Sequence, residues 1–172
     1  LVQFGAALAL AFAGDAIRAR ALSDDLDKRF PENTLVRFNY LPTLRGQLAL
    51  IHGDSSKAIE ALQIAVPYEL GSQSQSAFAP ALYSIYVRGE AYLAAHQGSE
   101  AAAEFKKVLE HRGIALNLPI GVLAHLGLAR AYAMQGDTTK AKAAYQDFLT
   151  LWKDADPDIP ILIAAKAEYA KL

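Results

Sequence analysis

The chain has 172 residues, with 17 lysines and arginines against 18 aspartates and glutamates, so its formal net charge is −1 and its pI about 6.5. That balance excludes the basic footprint of a nucleic-acid binder, the absence of cysteine excludes disulfides and thiolate metal sites, and no apolar run reaches the length of a membrane span. Hydrophobic residues make up 53 % of the chain, with Ala the commonest of them, and with Leu, Lys, Glu and Gln but no period-2 runs they predict an all-α protein.

Four corners punctuate the sequence. Gly14-Asp15-Ala16-Ile17-Arg18-Ala19, Gly53-Asp54-Ser55-Ser56-Lys57-Ala58 and Gly136-Asp137-Thr138-Thr139-Lys140-Ala141 are near copies, and His96-Gln97-Gly98-Ser99-Glu100-Ala101 is a degenerate one. They lie 39, 43 and 40 residues apart, a period that marks stacked supersecondary units. Gly ends one helix in the left-handed conformation that lacks a Cβ penalty. Asp then caps the next helix and complements its dipole. The Ala four residues after the Asp faces back to the first helix, where a small side chain lets the pair close.

In chain order, residues 1–13 form the first helix. Their apolar character suits a signal core, but a basic n-region and a cleavage site are lacking and the run leads straight into the first corner. The absence of an initial Met suggests a piece of a longer protein. Residues 15–29 are the partner helix, closed by Pro31. The second pair is 34–52 and 54–66, ended by Pro67, and Pro42 predicts a kink or a helix that begins near Tyr40. Ser72-Gln73-Ser74-Gln75-Ser76 reads as a polar loop between repeats. The third pair is 77–95 and 98–111, the fourth 119–135 and 137–153, with Pro119 and Pro157 as breaks. The tail, 158–172, is an amphipathic helix with Ile159, Leu162, Ile163, Ala167 and Tyr169 apolar, placed to cap the open end. A single repeat domain over 1–172 follows, with repeats at about 1–31, 32–71, 76–116 and 117–156.

Aligned on the corners, the units resemble tetratricopeptide repeats. The seventh position before each corner is Ala7, Gly46, Gly89 and Ala129; the fourth is Leu10, Ala49, Tyr92 and Tyr132; the ninth after is Ser23, Leu62, Phe105 and Tyr145. The resemblance implies a right-handed α-solenoid of four helix pairs plus a capping helix. A narrower resemblance, carried by residues 86–95, by His125-Leu126-Gly127-Leu128-Ala129-Arg130-Ala131-Tyr132 and by residues 151–160, is to the C-terminal repeat regions of bacterial, notably acidobacterial, eukaryotic-like serine/threonine kinases. It implies a regulatory or sensor role beside a kinase domain carried elsewhere in the parent.

Catalytic constellations do not assemble. His111-Arg112-Gly113-Ile114-Ala115-Leu116-Asn117 echoes a kinase catalytic loop, but Gly113 stands where the Asp is needed and the other kinase motifs are missing; a loop with Asn117 capping the next helix is the simpler reading. His52, His96, His111 and His125 show no metal-ligand spacing, and His52 and His96 fall at helix C-termini, where imidazole suits the dipole. Asp24, Asp25, Asp27, Lys28 and Arg29 read as a solvated face, and Trp152 as core or cap packing. No enzyme activity, cofactor or metal is expected.

The resemblance places a binding groove on the first helix of each pair, at the thirteenth, tenth and sixth positions before the corner. These are Leu1, Phe4 and Leu8; Tyr40, Thr43 and Gln47; Tyr83, Tyr86 and Glu90; and Leu123, Leu126 and Arg130. The tyrosines offer amphipathic contact surface. Packing of these aromatics between repeats is the alternative of equal standing. The Lys and Asn of a carboxylate clamp are absent at the tenth and sixth positions, so an adaptor for chaperone tails is not expected. The expected function is a non-catalytic scaffold that binds a protein or peptide, without nucleic acid and without membrane insertion. Self-association through the apolar helix from Val2 to Phe12 is a further alternative. The compartment stays open: cytoplasmic, or the extracytoplasmic part of a membrane-anchored parent.

Overall fold

All four corners fold alike in the computed structural model, which describes residues 2–71, 82–115 and 118–172. Helix α1 (Val2–Phe12) turns into α2 (Ala16–Arg29), α3 (Leu41–Ile51) into α4 (Ser55–Gln63), and α5 (Tyr83–Ala94) into α6 (Gly98–Glu110). A single short turn, α7 (Arg112–Ala115), precedes the last pair, α8 (Ile120–Met134) and α9 (Thr138–Leu151), and α10 (Pro160–Tyr169) closes the chain. Gly14, Gly53 and Gly136 have φ of 82°, 75° and 77°, and His96 takes the same left-handed turn at 58°. At each corner this residue donates its N–H to the carbonyl three back (Ala11, Leu50, Leu93, Ala133), and the next residue donates to the carbonyl five back (Leu10, Ala49, Tyr92, Tyr132). The carboxylates of Asp15, Asp54 and Asp137 accept the N–H of Arg18, Lys57 and Lys140 at 3.0, 2.9 and 3.0 Å. Gln97 supplies no such side-chain cap.

Within each pair a small residue meets a large one. Ala19, Ala58, Ala101 and Ala141, each four residues beyond the capping position, are fully buried. A Cβ added to Gly46 would come within 2.8 Å of the Leu62 side chain. The ring of Phe105 lies so close to two first helices that a Cβ would meet it at 2.8 Å from Gly89 and 2.5 Å from Gly127. Phe105 therefore locks its own repeat to the next one.

The helices form two layers. Seven of the eleven residues of α3 are buried against two of nine in α4, so first helices make the inner layer and second helices the outer. Each first helix packs on the next (α1 on α3, α3 on α5, α5 on α8), and each second helix packs on the first helix of the following pair. The result is an α-solenoid, all-α over the described residues, in which each repeat is stabilised by its neighbours. One large core runs from Leu62 to Ala165, around Ile85, Phe105, Leu126 and Phe148, and a smaller one joins Phe4, Leu8, Leu26, Tyr40 and Leu44.

Pro42 sits in the first turn of α3, which begins at Leu41, beside the expected start near Tyr40. The chain is helical from residue 34, widens into a π turn over Val36–Tyr40, and runs on into α3 with Pro42 in its first turn. The Leu41 N–H bonds the Val36 carbonyl five residues back; the π turn thereby accommodates a residue without an N–H. Thr43 donates its hydroxyl to the Asn39 carbonyl at 2.7 Å. Helix α4 stops at Gln63, three residues before the expected end, and the chain turns through a 3₁₀ segment, Val66–Tyr68. Residues 112–115 form α7 rather than open loop. Helix α10 starts at Pro160, and its buried residues are Leu162 and Ala165; Ile163 is 53 % exposed and Ala167 is exposed, so two of the five expected apolar contacts point to solvent. The loop expected at Ser72–Ser76, the cap expected at Asn117 and the groove position Leu1 lie outside the described residues. Among the described residues no helix is long and apolar enough to cross a membrane.

Candidate protein-binding groove

The inner layer carries every described position assigned to the groove, but the close packing of first helices divides them into two sets. Tyr40 is 4 % exposed and stacks on Phe4 with ring centroids 4.2 Å apart; Thr43 is fully buried and Leu126 is 1 % exposed. These three, with Phe4 and Leu8, are core. Gln47, Tyr83, Glu90, Leu123 and Arg130 stay partly accessible, and Tyr86 lies just beneath them, 6 % exposed.

Three residues outside the assigned groove positions adjoin this surface. Phe12, at the end of α1, reaches across to α5, its ring 6.2 Å from Tyr83 and 6.4 Å from Tyr86. Tyr145 and Glu168 close the other end. Arg130 donates from Nε and Nη2 to Glu168 at 2.9 Å each, and the Tyr145 hydroxyl donates to the same carboxylate at 2.8 Å. This fork is a bidentate pair of the stronger kind, and Gln146 donates to the Tyr169 hydroxyl beside it at 2.9 Å. An exposed Phe at a helix end was the only signal for Phe12. Nothing in the repeat pattern marks Glu168, because the capping helix has no corner to set its register.

Electrostatically the floor is a ladder. Gln47, Glu90 and Arg130 hold equivalent positions on α3, α5 and α8, and Glu168 follows on α10. Burial raises the Glu90 carboxyl above its ordinary range, and the opposing pull of Arg130 and the Tyr86 hydroxyl does not cancel it. Burial also works to raise Glu168, but its bonds from Arg130 and Tyr145 win and hold it below the usual carboxylate value. The Tyr86 phenol is pushed up, by burial first and then by the Glu90 charge.

A second charged cluster is centred on two buried groups, Arg88 and Glu69. The Arg88 guanidinium, 2 % exposed, donates to Glu69 at 3.1 Å, to Glu104 at 2.6 Å and to the Leu62 carbonyl at 3.3 Å, and Lys107 also pairs with Glu69. It ties the segment after α4 to α5 and α6. An arginine inside an apolar helix, between Val87 and Gly89, was its sequence signal. Two further clefts, each about 520 Å³, are open to solvent. One, between α2, α3 and α4, is lined by Arg20, Arg45, His52, Asp54 and Lys57, but Arg45 is already paired with Asp27 at 2.7 Å. The other is lined by Arg112, Val122, His125, Leu151 and Trp152; burial lowers the His125 pKa despite Asp147 at 3.7 Å. Trp152 packs on Phe148, ring centroids 5.0 Å apart. His52 and His111 each bond a carbonyl one turn back, Leu48 at 2.6 Å and Lys107 at 2.8 Å.

No family model matches the chain, and no curated protein matches it. Among solved structures it is similar to two crystal structures of the nearly identical TPR-like repeats of a kinesin light chain from Podosopora anserina, one of them a substituted variant. The two likenesses have TM-scores of 0.65 and 0.64 at 19 % identity, and cover 99 % of this chain and 82 % and 83 % of the others. At that identity the likeness is one of fold: the chain has the architecture of TPR-like, tetratricopeptide-type helical repeats.

Proposed function

We propose that the chain is a non-catalytic scaffold that binds a protein or peptide segment along the inner face of its first helices. TPR-like repeats generally mediate protein–protein interaction, and the inner layer gives that role a surface. The observation that carries the reading is the set of accessible or partly accessible side chains Phe12, Tyr83, Gln47, Glu90 and Arg130, all carried on first helices rather than loops. Tyr40, Thr43 and Leu126 support this set from below. Binding would bury an extended or helical segment against preformed surface, with aromatic anchors at its centre.

The test is a selection of short peptides from a random display library, followed by titration against the wild type and Tyr83→Ala. Tyr83 is partly exposed, so truncation keeps the core. A loss of about tenfold or more is expected; failure to select any peptide, or equal affinity of the two proteins, sinks the reading.

Self-association has one observation in its favour. Helix α1 leaves an uncovered apolar face of Val2 (88 % exposed), Gly5, Ala6 and Ala9. A monomer by sedimentation at high concentration would remove this second reading. The kinase-tail resemblance concerns the parent chain. A kinase domain upstream of Leu1 supports it, and further repeats alone count against it.

A further inference from the structure

We infer that the groove contains a cation-accepting subsite, made by Phe12, Tyr83, Tyr86 and Glu90, which takes a lysine or arginine side chain of the bound segment. The inference rests on the groove reading above and supplies its chemistry.

The aromatic part comes first. Phe12 is 45 % exposed although it is a large apolar residue. Its ring is tilted by 49° to Tyr83 and by 61° to Tyr86, so Phe12 and Tyr83 form accessible walls at an angle rather than a stack, with the buried Tyr86 ring behind them. Such walls present both apolar surface and electron-rich faces, to which a cation is attracted within about 6 Å.

The charge follows. Glu90 lies one helical turn beyond Tyr86, on the same face of α5. Among the described residues its carboxylate has no ion-pair partner within 4.0 Å. Arg130, the neighbouring cation, has its fork committed to Glu168. On the adjacent helix, at the equivalent position, the Gln47 Oε1 atom is buried and accepts no hydrogen bond. The floor thus offers a carboxylate, an unused amide oxygen and aromatic faces, while Arg130 is bound through its fork to Glu168 and acts on Glu90 only at longer range. A lysine or arginine has the donors and positive charge that such a floor lacks. An acidic segment would meet the Glu90 and Glu168 carboxylates, with Arg130 already bound to Glu168 and Lys171 acting on the same carboxylate.

The same display selection tests the subsite, now read for composition and repeated with Glu90→Gln and Glu90→Lys. Peptides selected by the wild type should share a Lys or Arg at one position, and replacing that residue with Ala should weaken binding by roughly tenfold or more. Glu90→Gln should bring a similar loss, with little further loss when combined with the peptide change, which is the signature of a direct pair. Glu90→Lys should cease to enrich basic peptides. Thermal melting of each variant confirms that it is folded. Selected peptides with no shared basic residue, or unchanged affinity for Glu90→Gln, would overturn the subsite while leaving the groove in place. Failure of the wild type to select any peptide would overturn both.

Discussion

Glu90 is a residue whose environment works against its charge. Burial holds its carboxyl above the ordinary value, so between the unfolded and folded pKa values the native state binds more protons than the unfolded chain. Stability therefore falls as pH rises through that window, above the usual glutamate range. Glu90→Gln removes the cost: its urea midpoint should exceed the wild type's at neutral pH, and the gain should fade on acidification towards the glutamate range. An equal or lower midpoint at neutral pH would contradict this account of Glu90. A more stable variant that binds less well is the expected sign of a functional position.

Backbone geometry decides two other residues in opposite directions. A Cβ at Gly127 meets the Phe105 ring at 2.5 Å, one at Gly89 at 2.8 Å, so Gly127→Ala should lower stability by about 1–3 kcal/mol in denaturant titration. His96 bears a side chain in the left-handed region, φ 58°, which costs about 1–2 kcal/mol. Allowing for the looser unfolded chain that glycine brings, His96→Gly should raise stability by up to about 1 kcal/mol. The corner glycines and the degenerate His96 were legible in the sequence because each repeats at one register. Gly127 was not, because its reason for being small is Phe105 of the preceding repeat, a contact that no local pattern encodes.

At the scale of elements, the helix pairs are fixed by their corners, and the connections by groups distant in sequence. Arg88 links α5 to Glu69, in the segment after α4, and to Glu104 on α6. Arg88→Leu would leave Glu69, fully buried, with one cation fewer, and a loss of about 3–5 kcal/mol is expected from thermal or urea unfolding. A change below about 1 kcal/mol would show that the cluster contributes little. The register of α10 shows where sequence patterning stops. Ile163 and Ala167 are as apolar as Leu162 and Ala165, and only packing against α9 and the Arg130–Glu168 fork selects the face. The π turn before Pro42 is similar: the proline announced a disturbance, but the i−5 bond from Leu41 to Val36 was one of several ways to absorb it.

Across the whole molecule, the recurrence of corners made the solenoid legible, and the candidate site only in part. The register named the helices that carry the proposed groove. It could not tell lining from support, because that depends on how tightly first helices approach one another. That approach submerges Tyr40, Thr43 and Leu126 while Gln47, Glu90 and Arg130 stay reachable. It also brings Phe12 of the first repeat to Tyr83 and Tyr86 of the third, which no repeat-by-repeat reading contains.

The most direct test of the central claim is chemical-shift mapping of the isotopically labelled chain as a selected peptide is added. The account predicts that perturbed amides cluster on the inner faces of α3, α5 and α8 and at Phe12, centred on Tyr83 and Glu90, with the outer faces of α4, α6 and α9 unchanged. Perturbations confined to those outer faces would contradict it.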